Sequence, residues 1–280
     1  MVMDRVLTAL VIATAALSSA TVAAADDAAP DANATVSTIS QAAGLGPGDT
    51  APLDFPGVRT IRRGKPIPKN YALHSVHVTA TPGSFEAAAI YRAVCPKGSV
   101  LTGFAIGKPF ANFLITDLAE YDGKHRAVFA NTYFRGHKAE DGYHYFACRA
   151  LRGTAPAPVA GSAPSTATVT SAPALGAGDI APWDVPGVRA IRRGKPIPKG
   201  YTLPGFSVTV HNGDIAVGGW LTAGCPGKTR LRSFAISGDV GFSIPAASPN
   251  YVGRRSARVD AYRGRLANAD YNGTIYAVCR

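Results

Sequence analysis

Residues 56–71 read PGVRTIRRGKPIPKNY, and residues 186–201 read PGVRAIRRGKPIPKGY. The two stretches lie 130 positions apart and agree at fourteen of sixteen positions. The same offset aligns Leu45-Gly46-Pro47-Gly48-Asp49 with residues 175–179, and Cys95-Pro96 with Cys225-Pro226. A period this long is typical of tandem domains, since solenoid units run to roughly 20–50 residues. The repeat therefore predicts two copies of one domain.

The boundaries of the two copies follow from composition. We predict domain 1 at residues 45–152 and domain 2 at residues 175–280, each long enough to bury a core of its own. Residues 153–174 between them are Ala, Pro, Ser, Thr, Gly and Val without a charge, which favours a semi-flexible linker. Residues 26–44 are rich in Ala, Asp, Ser and Thr and predict a disordered leader.

The N-terminal residues 1–25 are typical of a secretory signal peptide. Arg5 supplies positive charge, an apolar run follows from Val6 to Ala16, and small residues at 23–25 precede the predicted cleavage between Ala25 and Asp26. A retained membrane anchor needs about 20 apolar residues, and hydroxyl side chains interrupt this run. We therefore expect a secreted, extracellular protein without a membrane span after cleavage, and the cell wall is one expected place of attachment.

The four cysteines indicate disulfides, because their number is even and the chain is expected to be exported. The repeat selects the pairs Cys95–Cys148 and Cys225–Cys279. Each bridge closes a loop of about 54 residues, which the chain-entropy argument values at about 4 kcal/mol. The spacing fits neither a zinc site nor a redox pair, so we predict no cofactor and no metal.

Short segments of β-type residues between Gly/Pro turns predict strands, and no segment has a convincing helical pattern. Strands near 73–79 and 203–210 end at the turn signals Pro82-Gly83 and Asn212-Gly213. Further strands are predicted at residues 86–94, 99–106, 112–120, 126–134, 142–150, 215–224, 229–237, 256–263 and 271–279. The predicted fold is all-β, with two tandem small β-sandwich (or barrel) domains and one disulfide in each.

Enzyme signatures such as a nucleophile elbow, a phosphate loop or a metalloprotease helix are missing from the sequence. Copy 2 holds a single histidine, His211, and no glutamate, so a catalytic centre common to both copies is not expected. We therefore predict no enzyme. A hydrolase remains the third hypothesis, with carboxylates that only copy 1 carries near a histidine. These residues are Asp117, Glu120, Asp122 and His125.

The remaining histidines of copy 1 are weak candidates for a metal. His74 and His77 point to opposite faces of a strand, since side chains alternate, and so make a poor ligand pair. His137 and His144 flank the acidic pair at 140–141 in a predicted hairpin connection, where solvated loop residues are the default interpretation.

The candidate site is the basic segment of the repeat, which carries five cations over eleven residues in each copy. The ten cations are Arg59, Arg62, Arg63, Lys65, Lys69, Arg189, Arg192, Arg193, Lys195 and Lys199. Gly64 and Gly194 permit a positive φ, and Pro-Ile-Pro fixes an extended stretch, so a stiff arm is predicted. Arginine and lysine suit phosphates and carboxylates. The alternative is a structural lead-in strand whose prolines protect a sheet edge.

The net charge of +11 and the isoelectric point near 9.7 favour an acidic partner, although charge also serves solubility. Our leading hypothesis is an exported non-enzymatic binding protein, which engages the cell wall or an anionic extracellular polymer through the two basic arms. Two arms joined by a flexible linker would add avidity on repeated anions. The runner-up is a protein-binding module or inhibitor of an extracellular enzyme. The oligomeric state is left open.

Each copy also resembles a repeat of uncharacterised secreted proteins of actinobacteria. The resemblance rests on Gly64–Tyr71 and residues 194–201, on the two Cys-Pro pairs, and on the endings YFACR at 145–149 and YAVCR at 276–280. Copy 1 departs from the pattern at Asn70 and by the inserted Phe146. The resemblance implies export and a disulfide-closed β-domain, and it brings no activity and no catalytic residue.

Overall fold

The structure is a computed structural model that describes residues 34–81, 83, 87–107, 113–115, 127–132, 139–158, 163–244, 251–264 and 266–280. The described residues form strands and no helix, so the predicted all-β fold is confirmed. The strands of copy 1 are β1 Thr35–Leu45, β2 Tyr71–Thr81, β3 Ala87–Val94, β4 Ser99–Ile106, β5 Phe113–Ile115, β6 Ala127–Thr132 and β7 Glu140–Ala150. Those of copy 2 are β8 Ser165–Leu175, β9 Leu203–His211, β10 Val217–Gly224, β11 Leu231–Gly238, β12 Gly241–Ser243, β13 Ser256–Tyr262 and β14 Tyr271–Cys279.

The described strands assemble into two sheets, and each sheet contains strands of both copies. The eight-stranded sheet has the order β11-β14-β9-β8-β1-β2-β7-β4, and the six-stranded sheet has the order β12-β13-β10-β3-β6-β5. The copies meet where β1 pairs with β8 and where β3 pairs with β10, and both pairings are antiparallel. The molecule is therefore one sandwich built from two interlocked halves.

A pseudo-two-fold axis relates the two halves. In the β1–β8 ladder Ser37 lies opposite Ala167, and in the β3–β10 ladder Ala89 lies opposite Gly219. The members of each pair are 130 positions apart, so each residue faces its own counterpart in the other copy. This self-matching is the property of an isologous dimer interface, in which residue i contacts j and j contacts i. The repeat thus behaves as a dimer joined within one chain.

Side chains of both halves share one core between the sheets. Tyr91 and Phe104 of copy 1 belong to the same buried cluster as Val208, Trp220 and Phe234 of copy 2. The described residues of both copies also fall in one compact unit. Because neither half encloses this core alone, the tandem arrangement expected from the repeat is corrected to a fused one.

Strands β1 and β8 lie in segments that were predicted to be a disordered leader and a semi-flexible linker, so both predictions are corrected there. β1 lies in residues 26–44 and β8 lies in residues 153–174, apart from the last residue of each strand. The inward positions of β1 hold Thr35, Ser37 and Ile39, all buried, so the strand has low hydrophobicity despite its burial. Small hydroxyl side chains at these positions explain why composition predicted an unstructured segment. The signal peptide 1–25 and the rest of the predicted leader up to residue 33 lie outside the described residues.

The buried hydroxyls at the start of β1 and β8 have matching partners. The backbone N–H of Gly83 donates to Oγ1 of Thr35 over 2.8 Å, and that of Gly213 donates to Oγ of Ser165 over 2.7 Å. A buried hydroxyl needs such a partner because desolvation without one is costly. These two bonds are again related by the 130-residue offset.

The predicted disulfides are confirmed. Cys95 pairs with Cys148 and Cys225 with Cys279, each with a Cα–Cα distance of 5.6 Å. Each bridge joins the turn after β3 or β10 in the six-stranded sheet to β7 or β14 in the eight-stranded sheet. Two disulfides are typical of an oxidising, extracellular compartment. Within the described ranges, no helix of a length and apolar character suited to crossing a membrane is found.

Candidate functional site: two cationic loops

The basic segments of the repeat form two folded loops, which we call cationic loop 1 (residues 46–70) and cationic loop 2 (residues 176–200). In loop 1, Ala51 donates its N–H to the carbonyl of Lys65 over 2.9 Å, and Ile67 donates to Asp49 over 2.8 Å. Loop 2 repeats both bonds, at 2.9 and 2.8 Å, at positions 130 higher. A bridge between Thr50 and Pro66 closes the first loop, and its counterpart closes the second.

A small apolar cluster holds each loop on the outer face of the eight-stranded sheet. In loop 1, Phe55, Val58, Ile61 and Ile67 are buried against Leu73 of β2. Loop 2 buries the equivalent residues at 185, 188, 191 and 197 in the same way. The predicted stiff, extended arm is therefore corrected. The apolar residues between the cations fold the segment back on itself, since together they remove a large apolar area from water.

Gly64 and Gly194 have φ angles of 73° and 72°, which confirms the predicted positive φ. Each glycine follows the Arg-Arg pair, and its N–H donates to the carbonyl of residue 51 or 181 over 2.9 or 2.8 Å. The left-handed turn thereby sends the lysine and the Pro-Ile-Pro stretch back along the start of the loop.

We expect Gly64→Ala and Gly194→Ala each to lower the free energy of unfolding by about 1–2 kcal/mol. The added Cβ has open space, so the cost is the left-handed backbone conformation alone. Urea denaturation measures the change, and Gly46→Ala is the control, because Gly46 has no positive φ and its Cβ would meet no atom closer than 3.8 Å. Equal losses at Gly46 and Gly64 would contradict the assignment.

All ten loop cations are exposed, and among the described residues no carboxylate forms a salt bridge with them. The acidic side chains of loop 1 are used for the backbone instead. Oδ2 of Asp49 accepts the N–H of Gly46 at 2.7 Å, and Oδ1 of Asp54 accepts the N–H of Arg63 at 3.0 Å. Loop 2 has the same pair of contacts at 2.7 and 3.1 Å. The cations therefore remain available to an external anion.

One arginine of each loop is partly fixed by the backbone. Nε of Arg62 donates to the carbonyl of Arg59 at 3.3 Å, and Nε of Arg192 donates to that of Arg189 at 3.3 Å. The terminal nitrogens of these guanidinium groups are left for bidentate contacts with phosphate or carboxylate. Holding one end of the side chain reduces the rotamer entropy that binding would otherwise cost.

The two loops lie on the same outer face of the eight-stranded sheet, at opposite ends of its strands. Leu73 and Leu203, which support them, lie on the face away from the shared core, because their strands alternate. β1 and β8 run antiparallel and lead into the loops at Leu45 and Leu175, eight residues from the pseudo-two-fold axis. At about 3.4 Å per residue, the loops begin about 50 Å apart along the strand direction.

The histidines and carboxylates that the sequence suggested as other candidates lie in different surroundings. His74 is buried, whereas His77 faces outward and contacts Asp141 at 2.7 Å, which confirms the predicted opposite faces. His144 is fully buried rather than solvated in a loop, so that interpretation was wrong. His137 and the hydrolase candidates at 117, 120, 122 and 125 lie outside the described residues. Within the described ranges, no group of three or more His, Cys, Asp or Glu side chains has the arrangement of a metal site.

Comparisons with known proteins found no protein that is similar to this chain. No protein-family model, no curated protein and no solved structure matches the chain. The resemblance to secreted actinobacterial repeats therefore stays a prediction.

Proposed function

We propose that this is an exported, non-enzymatic binding protein that engages the cell wall or another anionic extracellular polymer through its two cationic loops. The observation that carries the proposal is the set of ten exposed cations on two folded loops, whose own aspartates are occupied by backbone N–H groups. A segment needed only to cover the sheet would require the buried apolar residues and not five cations in each copy.

The distance between the loops adds a requirement on the ligand. A polymer that touches both loops must extend over about 50 Å, since the loops begin that far apart along the strands. Such a chain gains avidity from two linked contacts, and a short anion binds one loop at a time. We therefore assign the loops to a repeated, extended polyanion such as a phosphate-rich wall polymer.

The test is retention on isolated cell walls and on inorganic polyphosphate of graded length. Arg62→Ala/Arg63→Ala is expected to weaken binding of long polyphosphate about tenfold, and addition of Arg192→Ala/Arg193→Ala about a hundredfold, at about 0.7 kcal/mol for each exposed contact. Binding should also fall steeply as the salt concentration rises.

The matched control is Arg254→Ala/Arg255→Ala, which removes the same charge from two exposed arginines outside the loops. An equal loss in this control, or full retention by the fourfold loop variant, would sink the proposal. Retention that salt hardly weakens, together with capture of a secreted protein, would instead favour the inhibitor hypothesis.

A further inference from the structure

The pseudo-two-fold axis crosses the outer face of the eight-stranded sheet between the two cationic loops. In the β1–β8 ladder Ser37 and Ala167 are equivalent residues that pair with each other, so the axis passes through the sheet at this pair. Because the axis relates the two loops, the midpoint between equivalent residues of the loops lies on the axis. A polymer that takes the shortest path from one loop to the other therefore crosses the outer face of β1 and β8 at this point.

Threonine side chains line the outer face at the crossing. The outward residues of β1 and β8 are partly exposed and alternate with residues that are buried in the core. Strand pairing arranges them, with the outward residues of β2 and β9, in two rows across the sheet. The first row is Thr79, Thr38 and Thr166, and the second row is Val36, Thr168 and Thr209.

The two threonine rows are regular and carry no charge. β1 and β8 change register with their outer neighbours only beyond Ala42 and Ala172, so the ladders are unbroken at the crossing. Adjacent strands place neighbouring hydroxyls about 4.8 Å apart. None of these hydroxyls has a hydrogen-bond partner among the described residues. Each can both donate and accept, so a chain that itself carries hydroxyl groups can use both roles, whereas a bare polyphosphate can only accept.

Aromatic side chains occupy the same face between loop 1 and the threonine rows. Tyr145 packs against the apolar cluster of loop 1, and Tyr143, the next outward residue of β7, is 42 % exposed. The ring centroids of Tyr143 and Tyr145 lie 6.4 Å apart, and His77 stacks on Tyr143 with centroids 4.8 Å apart. A tyrosine presents a rigid apolar ring and a polar hydroxyl, which suits the mixed C–H and O–H surface of a sugar ring.

We propose that the polyanion held by the loops is an acidic polysaccharide. Its phosphate or carboxylate groups contact the cations of both loops, and the sugar rings between them lie across Tyr143 and the threonine rows. The inference rests on the proposed function and adds the chemistry of the polymer between its two ends. A neutral glycan gains nothing from the ten loop cations, and inorganic polyphosphate has neither hydroxyl groups nor rings for the middle of the face.

The experiment measures equilibrium binding of the full chain to polygalacturonate and to inorganic polyphosphate, each long enough to span both loops. Thr38→Val/Thr168→Val removes two equivalent hydroxyls and keeps β-branched side chains, so the strands are preserved. This variant is expected to bind polygalacturonate about fivefold more weakly and polyphosphate less than twofold more weakly. Thr38→Ser/Thr168→Ser keeps both hydroxyls and should bind both polymers as the native chain does.

A second variant tests the aromatic side chains. Tyr143→Thr installs the residue of copy 2, since an offset of 131 in the last strands relates Tyr143 to Thr274. Because Thr274 occupies the equivalent place in β14, this change is compatible with the fold. We expect Tyr143→Thr to weaken polygalacturonate binding about threefold and to leave polyphosphate binding unchanged.

Equal losses for both polymers in the valine variant, or no loss for either, would overturn the inference. So would tighter binding of single-stranded DNA that Tyr143→Thr weakens and the valine variant does not, since that result identifies a nucleic acid. Arg62→Ala/Arg63→Ala is expected to weaken both polymers. If that loop variant retains both, the proposed function fails. If it loses both while the valine variant loses neither, the loops keep their assignment and only the inference about sugar rings fails.

Discussion

Lowering the pH from 7 to 4 is expected to reduce the free energy of unfolding by several kcal/mol, because two buried histidines stay neutral in the folded protein. His144 is fully buried, with its Nδ1 2.7 Å from the hydroxyl of Tyr91, and burial lowers the pKa of His144 to about 3. Burial likewise lowers the pKa of His74 to about 4. The ordinary histidine pKa is 6.5, and the unfolded chain titrates near that value.

The direction of the effect follows from proton uptake. As the pH falls through 6.5 the unfolded chain binds protons at these two histidines and the folded chain does not, so unfolding becomes more favourable. The stabilisation is complete above pH 6.5 and is lost as the pH falls toward 4 for His74 and 3 for His144. At about 1.4 kcal/mol per proton and pH unit, the two groups together contribute about 7 kcal/mol between pH 6.5 and 4.

Asp260 opposes this trend over part of the range. Burial raises the pKa of its carboxyl from 3.8 to about 6, although nearby Arg258 acts to lower it. The folded protein therefore takes up a proton at Asp260 before the unfolded chain does, and it gains stability as the pH falls from 6 to 3.8. The net acid loss is consequently smaller than the contribution of the histidines, at about 4 kcal/mol.

Copy 2 supplies the variant that isolates His144. Its residue at the position of Tyr91 is Leu221, 130 positions later, and its residue at the position of His144 is Ile275. The second offset is 131, because the last strands align Cys148 with Cys279. Leu221 and Ile275 are both fully buried. The free energy of unfolding of Tyr91→Leu/His144→Ile, relative to that of the native protein, should therefore rise by about 1.4 kcal/mol for each pH unit by which the pH falls from 6.5 to 4. Urea denaturation at several pH values gives this slope, and Asp260 cancels in the difference.

The control is Val252→Ala, which removes no titratable group and shortens an exposed side chain. We expect the stability difference between this variant and the native protein to be the same at pH 7 and pH 4. A stability difference between the native and double-variant proteins that stays constant from pH 7 to 4 would rule out a neutral, buried His144.

Truncation of one core side chain in copy 2 should destabilise both copies together. Leu221 is fully buried in the core that the halves share, and Leu221→Ala is expected to cost about 2–5 kcal/mol. Because both sheets cross the pseudo-two-fold axis, calorimetry should show one transition that moves down as a whole, with equal calorimetric and van't Hoff enthalpies. Amide exchange in β2 and β7 should accelerate as much as in β9 and β14.

The comparison variant is Val252→Ala, which shortens a side chain that is 57 % exposed and should change stability by less than about 0.5 kcal/mol. Two transitions, of which Leu221→Ala shifts only one, would show that the copies fold independently. That outcome would restore the tandem arrangement expected from the repeat.

The sequence predicted well where the residues have strong local preferences. β2, β4, β9 and β11 consist largely of apolar and β-branched residues that end at Gly or Pro turns, and the repeat alone selected both disulfides. The positive φ of Gly64 also follows from its neighbours, because a glycine between Arg-Arg and Lys-Pro is a strong turn signal.

The features that were missed depend on contacts between distant residues. The inward residues of β1 include Thr35 and Ser37, whose burial rests on a bond to Gly83 and on the facing β8. The alternating TVSTIS at 35–40 and STATVT at 165–170 was the available signal, since it extends the repeat beyond the predicted boundary. The β3–β10 joint pairs Ala89 with Gly219 on the axis, and nothing in the sequence of either strand indicates that its partner is the other copy.

Some features of the candidate site could likewise be predicted from the sequence, and others could not. The ten exposed cations could be predicted from their type, but the shape of the loops could not, because it depends on Phe55 and Val58 packing on the outer face of β2. Apolar residues spaced between the arginines were the signal that an extended arm was unsuitable.

The pseudo-two-fold axis has a consequence for how such a protein can diversify. In a dimer of identical chains every side chain occurs at both symmetry-related places, so a change that suits one place is imposed on the other. Covalent joining of the halves removes that constraint, and it also makes their assembly independent of protein concentration. His144 and Ile275 can then occupy equivalent positions in one core, and Arg92 and Thr222 can occupy equivalent positions on its rim. Duplication thereby allows one half to specialise while the other preserves the scaffold.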